Sequence, residues 1–117
     1  GIRTGIASSN GIELVETVLK AQGIQEYLES VHTCCEVPKG KPAPDIYLLV
    51  AETLGVKPEE CLVFEDVPMG ILAGKNAGMR VCAVEDTFSA SQREEKKELA
   101  DYYIESYDEI PRERMQP

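Results

Sequence analysis

The sequence predicts an α/β fold built on a mostly parallel sheet with helices on both faces, and three observations predict it. Short apolar runs alternate with helix-period segments through all 117 residues, the pattern of successive right-handed βαβ units. One run, Cys61-Leu62-Val63-Phe64, is apolar without a break and flanked by charge, which reads as a strand buried on both faces of a parallel sheet. Polar residues with chemical potential gather in three loops, 8–11, 36–43 and 65–68. Such winding places those loops beyond the carboxyl ends of the strands, where open α/β sheets bind ligands.

The elements follow in order. Residues 2–7 read as a strand that ends in the small polar turn Ser8-Ser9-Asn10-Gly11. Over 12–22, Ile12, Val15 and Leu19 recur at helical spacing until Gly23 stops the helix. A short turn or helix over 24–28 and a strand near 30–35 come next. Pro38, Pro42 and Pro44 then exclude helix or central strand and make 38–45 a stiff loop. Pro44 opens a helix that Gly55 closes. After the 61–64 strand, Pro68 opens a helix closed by Gly78, and 80–84 is a further strand. Residues 89–100 read as an exposed charged helix, 102–104 as a last strand and 107–110 as a final turn. The whole is expected to be one domain, 1–117, of ordinary size.

Hydrophobic residues make up 43% and charged residues 28% of the chain, a globular composition with enough aliphatic material for a core. There is no Trp, so Ile, Leu, Val, Ala and Met must supply that core. The formal net charge of −9 leaves no basic surface to replace phosphate counterions, which argues against nucleic acid as a partner. A small phosphorylated substrate needs only one or two placed cations and stays open. No apolar stretch is long enough to span a bilayer as a helix. Cys34, Cys35, Cys61 and Cys82 lack zinc or redox spacing and are expected to be reduced, buried thiols of a cytoplasmic protein.

Four positions carry the candidate chemistry. Ser8 closes the first strand before a helix, where a hydroxyl and free backbone N–H groups make an anion site; an ordinary N-cap by Ser9 or Asn10 competes with that assignment. Lys41 sits between Gly40 and Pro42, in a loop rigid enough to fix an ammonium where it can meet a phosphate. A solvated surface lysine is the competing reading. Glu65 and Asp66 are adjacent carboxylates at the end of a strand. Their mutual repulsion calls for compensation, and a hard divalent cation supplies it, unless Asp66 merely caps the next helix and Glu65 is solvated. His32, the one histidine, reads as structural, and the run from Glu94 to Lys97 as a solvated helix face.

Taken in order, Gly5-Ile6-Ala7-Ser8-Ser9-Asn10, Gly40-Lys41-Pro42-Ala43-Pro44-Asp45-Ile46-Tyr47, Val63-Phe64-Glu65-Asp66 with Gly70-Ile71, and Ala77-Gly78-Met79 resemble the haloacid dehalogenase superfamily of hydrolases, in its β-phosphoglucomutase-like branch. The resemblance runs from residue 2 to about 85. It implies a Rossmann-like three-layer α/β/α core and Mg²⁺-dependent phosphoryl transfer through an aspartyl-phosphate. It also implies roles: Ser8 and Lys41 as catalytic residues, Ser8, Ser9, Asn10 and Lys41 holding phosphate, and Glu65 with Asp66 holding Mg²⁺, Asp66 as the direct ligand.

The sequence departs from that family in one respect. The family's nucleophile is the first Asp of an Asp-x-Asp pair ending a central strand, and no Asp-x-Asp occurs among these 117 residues. The inserted helical cap is missing as well. With the opening directly in a strand, this points to the larger part of a core cut before its nucleophile, and inactive alone. Without the central strand, two half-sheets would expose inner edges. These edges would pair directly, take a strand from a partner or a second copy, or belong to a longer chain. The mutase's phosphate-holding Lys has no counterpart in Ser8-Ser9-Asn10-Gly11, which favours a sugar-phosphate or nucleotide phosphatase. The alternative is a non-catalytic α/β module that binds Mg²⁺ or phosphate or mediates association.

Overall fold

The structure, a computed structural model, describes residues 3–9, 12–23 and 28–109. Along them run β1 (Gly5–Ser8), α1 (Ile12–Gln22), β2 (Ser30–Thr33), α2 (Asp45–Leu54), β3 (Leu62–Glu65), α3 (Pro68–Asn76), β4 (Arg80–Val84), α4 (Arg93–Leu99) and β5 (Tyr102–Ile104). Every ladder is parallel: β1 with β2, β3 with β4 and β4 with β5. The predicted α/β winding is therefore present, but as a two-stranded sheet β1-β2 and a three-stranded sheet β3-β4-β5. Among the described residues β1 and β3 each have one strand neighbour, so direct pairing of the two inner edges does not occur.

Local chemistry explains most boundaries. Gly55 and Gly78 close α2 and α3 at φ 71° and 83°, a left-handed turn that costs a side chain dearly and glycine little. Val67, extended ahead of Pro68, starts α3 with the proline at its first position, where a missing N–H is harmless. Pro44 sits one residue before the helix and not inside it. The turn expected over 24–28 lies, but for its last residue, outside the described residues.

The core gathers Ile46, Tyr47 and Ala51 of α2, Val63 of β3, Ile71 and Ala73 of α3, and Val81 and Ala83 of β4. Ile71 and Val81 are fully buried, and a side chain of that size contributes about 1.5–3 kcal/mol on complete burial. The close approach of α3 to β4 needs Gly74, where a Cβ would stand 2.6 Å from Val81 Cγ2.

Three expectations are corrected. First, β3 is not buried on both faces: Val63 is 9% exposed, but Leu62 and Phe64 are 50% and 39% exposed. Helix α3 packs on the Val63 side, where Gly74 lies against it, and the other side is only partly covered. Second, the charged segment is a 3-10 stretch, Thr87–Gln92, followed by α4, and it is no simple solvated face. Lys96 is completely buried and donates to the Val84 carbonyl at 2.6 Å, because α4 turns it onto the end of β4. Third, of the described thiols only Cys82 is buried; Cys61 is half-buried and Cys35 exposed.

Asp101 ties the lower ends of these elements together. Its carboxylate accepts from Lys75 Nζ at 2.6 Å and from the Val81 N–H at 2.8 Å, while its own N–H donates to the Val81 carbonyl. The Lys75 hydrogen bond, then that of Val81, holds its carboxyl below the usual range. A depressed carboxyl stabilises above its unfolded value, about 3.9, and loses that contribution as pH falls through the folded value. Asp101→Ala is accordingly expected to cost about 1 kcal/mol at pH 7 and less below pH 3.5. Urea unfolding at both pH values checks it; an equal loss at both would contradict the ionic part.

Candidate active site

The site forms where the loop after β2 returns across the ends of β1 and β3. Lys41, 13% exposed at its side chain, donates to Glu65 Oε2 at 2.9 Å and to the Ala7 carbonyl at 3.3 Å. One ammonium thus joins the carboxyl end of β1, next to Ser8, to that of β3, next to Asp66. Its peptide bond to Pro42 is cis, and the Pro42 carbonyl accepts from Asn76 Nδ2 at 3.1 Å. The loop that prolines make stiff is thereby also anchored to α3. Lys41 is not a solvated surface lysine.

Glu65 is not solvated either; its side chain is 11% exposed. The Tyr47 hydroxyl donates to Glu65 Oε2 at 2.6 Å, and Oε1 accepts from the Asp66 N–H at 3.2 Å. Burial opposes ionisation of Glu65, but the charge of Lys41 and the hydrogen bonds from Tyr47, Lys41 and Asp66 outweigh it and hold the carboxyl below its ordinary range. Burial, followed by the charge and hydrogen bond of Glu65, pushes the Tyr47 phenol far above its ordinary value, so it serves as a donor at any ordinary pH. The carboxylate fits only because residue 70 is glycine. A Cβ there would lie 2.1 Å from Glu65 Cδ and 2.2 Å from Oε2.

Asp66 behaves differently. Burial, then the hydrogen bond and charge of Glu65 and the charge of Asp86, push its carboxyl upward. It does not cap α3, whose N-cap is Val67. Phe64, Glu65, Asp66, Val84, Glu85 and Asp86 line an open cleft of about 360 Å³. Within it Glu85 is occupied by hydrogen bonds from the Tyr103 hydroxyl and Arg93 Nε, which, in that order, lower its carboxyl.

The structure therefore brings Lys41, Glu65 and Asp66 together, with half-buried Ser8 ending β1 and exposed Ser9 just after it. Asn10 lies outside the described residues. His32 bonds Glu36 through Nδ1 at 2.9 Å and Thr53 Oγ1 through Nε2 at 2.8 Å. Since the Thr53 hydroxyl donates to the Leu49 carbonyl, Nε2 is the donor, and His32 ties β2 to α2. Two residues went unassigned in the sequence: Tyr47, whose place three positions after Pro44 gives no hint of a partner at 65, and Gly70, whose role depends on that partner's side chain.

A family pattern described as haloacid dehalogenase-like hydrolase matches residues 1–78. Hexitol phosphatase A of Escherichia coli (strain K12) is 42% identical over 84 residues, covering 72% of this chain and 38% of its own length. Fructose-1-phosphate phosphatase YqaB of the same organism is 40% identical over 79 residues, covering 66% and 42%. A solved variant of CbbY from Rhodobacter sphaeroides, in complex with xylulose-(1,5)bisphosphate, superposes with a TM-score of 0.84 at 31% identity over 94% of this chain and 49% of its own. The chain thus spans about two fifths of the length of the curated relatives it matches.

Proposed function

The chain belongs to the haloacid dehalogenase-like hydrolases, and from that we propose that it forms the larger part of a cytoplasmic phosphoryl-transfer core acting on a small phosphorylated metabolite of the sugar-phosphate type. The observation that carries this reading is the Lys41 ammonium fixed between Ala7 and Glu65, beside Ser8 on one strand and Asp66 on the other. Phosphoryl transfer asks a protein mainly for positioning and for charge neutralisation. Lys41 uses one N–H on a carboxylate and one on a carbonyl, which leaves a third for a phosphoryl oxygen. The Ser8 hydroxyl and the polar residues Ser9 and Asn10 that follow it in sequence would take the other oxygens. The sugar-phosphate class is supported by what the named relatives act on and by the ligand of the superposed structure.

Mg²⁺ fits the donors present. Asp66 is a hard oxygen ligand repelled by Glu65 and Asp86, and Mg²⁺ is commonly held by one or two carboxylates together with substrate phosphate. Asp66 would bind it directly, while Glu65 is engaged with Lys41 and Tyr47. When bound, the ion would neutralise charge on the transferring group. The nucleophile has no counterpart in these 117 residues, so catalysis would need a carboxylate supplied from outside them.

Mg²⁺-dependent phosphate release over a panel of sugar phosphates tests this. The chain is compared with the same chain extended N-terminally along its natural reading frame. Release only by the extended protein, reduced about 100-fold or more by Ser8→Ala, Lys41→Met or Asp66→Asn, is expected. No release by either protein would instead favour a module that binds without turnover.

A further inference from the structure

We propose that Tyr47 is a positioning residue for the Lys41 ammonium and acts on it through Glu65; its catalytic consequence rests on the phosphoryl-transfer reading above. Two donors converge on one atom: Glu65 Oε2 accepts from the Tyr47 hydroxyl at 2.6 Å and from Lys41 Nζ at 2.9 Å. The same ammonium stands 5.1 Å from the centroid of the Tyr47 ring, within the range of a cation–π contact. Tyr47 thus meets Lys41 twice, once through its ring and once through the oxygen that both groups share.

What fixes Tyr47 is the core. It is 6% exposed and packs among Ile46, Ala51 and Ile71, so its hydroxyl is held by buried apolar neighbours. A lysine on a loop has a long flexible stem and no such support of its own. Glu65 is a flexible chain too, and its carboxylate, which lies directly against Gly70, has several rotatable bonds through which it could turn. The hydroxyl removes that freedom by holding Oε2 at one point. The ammonium, with the Ala7 carbonyl on its other side, then has a single place to stand. Phenylalanine would fill the same volume and keep the ring beneath Nζ. It would leave Oε2 with one donor fewer in a site largely withdrawn from water, where an unmet acceptor is costly.

The test separates the hydroxyl from the ring, and the positioning from the reaction. In this chain, proton exchange of the Lys41 ammonium with water is followed by ¹⁵N-resolved NMR for wild type, Tyr47→Phe and Tyr47→Leu. Tyr47→Phe is expected to speed exchange at least 5-fold with little change in melting temperature, and Tyr47→Leu at least as much. Exchange unchanged in Tyr47→Phe would overturn the proposal. Should that variant fail to fold, the wild-type spectrum decides instead. A resolved Tyr47 hydroxyl proton with cross-relaxation to the Lys41 ammonium supports the proposal, and its absence overturns it. In the extended protein, Tyr47→Phe is expected to lower kcat about 10-fold with KM for the sugar phosphate within 2-fold. Faster exchange without phosphatase activity in the extended wild type would keep the positioning and remove the reaction; activity with unchanged exchange would do the reverse.

Discussion

Replacing Gly70 with alanine is expected to dislodge Glu65 and lower the turnover of the extended protein about 100-fold while leaving the fold largely intact. The added Cβ would stand 2.1 Å from Glu65 Cδ and 2.4 Å from its Cγ, distances no structure tolerates. What must give is the far end of a flexible side chain, so the backbone need not move. Overpacking commonly costs about 1–3 kcal/mol, and alanine in a helix returns about 0.5–1 kcal/mol relative to glycine. The net stability change should stay near 1 kcal/mol. The functional change should be far larger, because Glu65 leaves both Tyr47 and Lys41 when it moves, and displacement of a positioned group by about 1 Å can cost 100-fold. Thermal unfolding and Mg²⁺-dependent phosphate release, measured on the same preparation, check the two halves. Activity within a few-fold of wild type would show that the observed seat of Glu65 is not needed.

Lys41→Met is expected to invert the way Glu65 responds to pH. In the wild type the folded pKa of Glu65 lies below the unfolded value of about 4.3. Its contribution is therefore fully present above that value and is lost as pH falls through the folded pKa. Methionine fills the volume of Lys41 and removes its charge. Burial, the largest opposing influence on Glu65, then prevails and raises the folded pKa above the unfolded one. An ionised Glu65 would now destabilise at neutral pH, and protonation would relieve it. Breaking a buried pair by removing one partner costs about 3–5 kcal/mol, and with side chains 13% and 11% exposed the lower end applies. We expect a loss of about 3 kcal/mol at pH 7.5 that shrinks toward pH 4. Urea unfolding at pH 7.5, 5.5 and 4 measures it; a loss independent of pH would mean that Glu65 does not feel Lys41.

Both predictions concern side chains whose partners are far away in sequence, and this is where sequence reading stops. The ends of α1 and of β4 stand at the residues their local signals indicated, 12–22 and 80–84. Periodicity, a closing glycine and an apolar run are all local signals. The α/β winding was legible for the same reason, and so was the meeting of Lys41 from the 36–43 loop with the ends of β1 and β3, since parallel winding brings those ends to one edge. Leu62 and Phe64 misled because an apolar run records what a strand can bury and not which neighbour is at hand to cover it. Lys96 misled in the opposite sense, its charge suggesting water while α4 turned it onto the Val84 carbonyl.

By itself, then, the sequence determined the order of elements, the parallel winding and the residue types delivered to one edge: a hydroxyl at 8, an ammonium at 41 and carboxylates at 65 and 66. The tertiary structure alone decided which of those groups bond one another. Glu65 lies 24 residues from Lys41 and 18 from Tyr47, and the glycine that admits its carboxylate sits beyond the end of its strand, in the first turn of α3. Which oxygen meets which donor depends on how α2 and α3 pack across two sheets. That packing is set by shape and burial summed over the core, a sum that no local stretch of sequence contains.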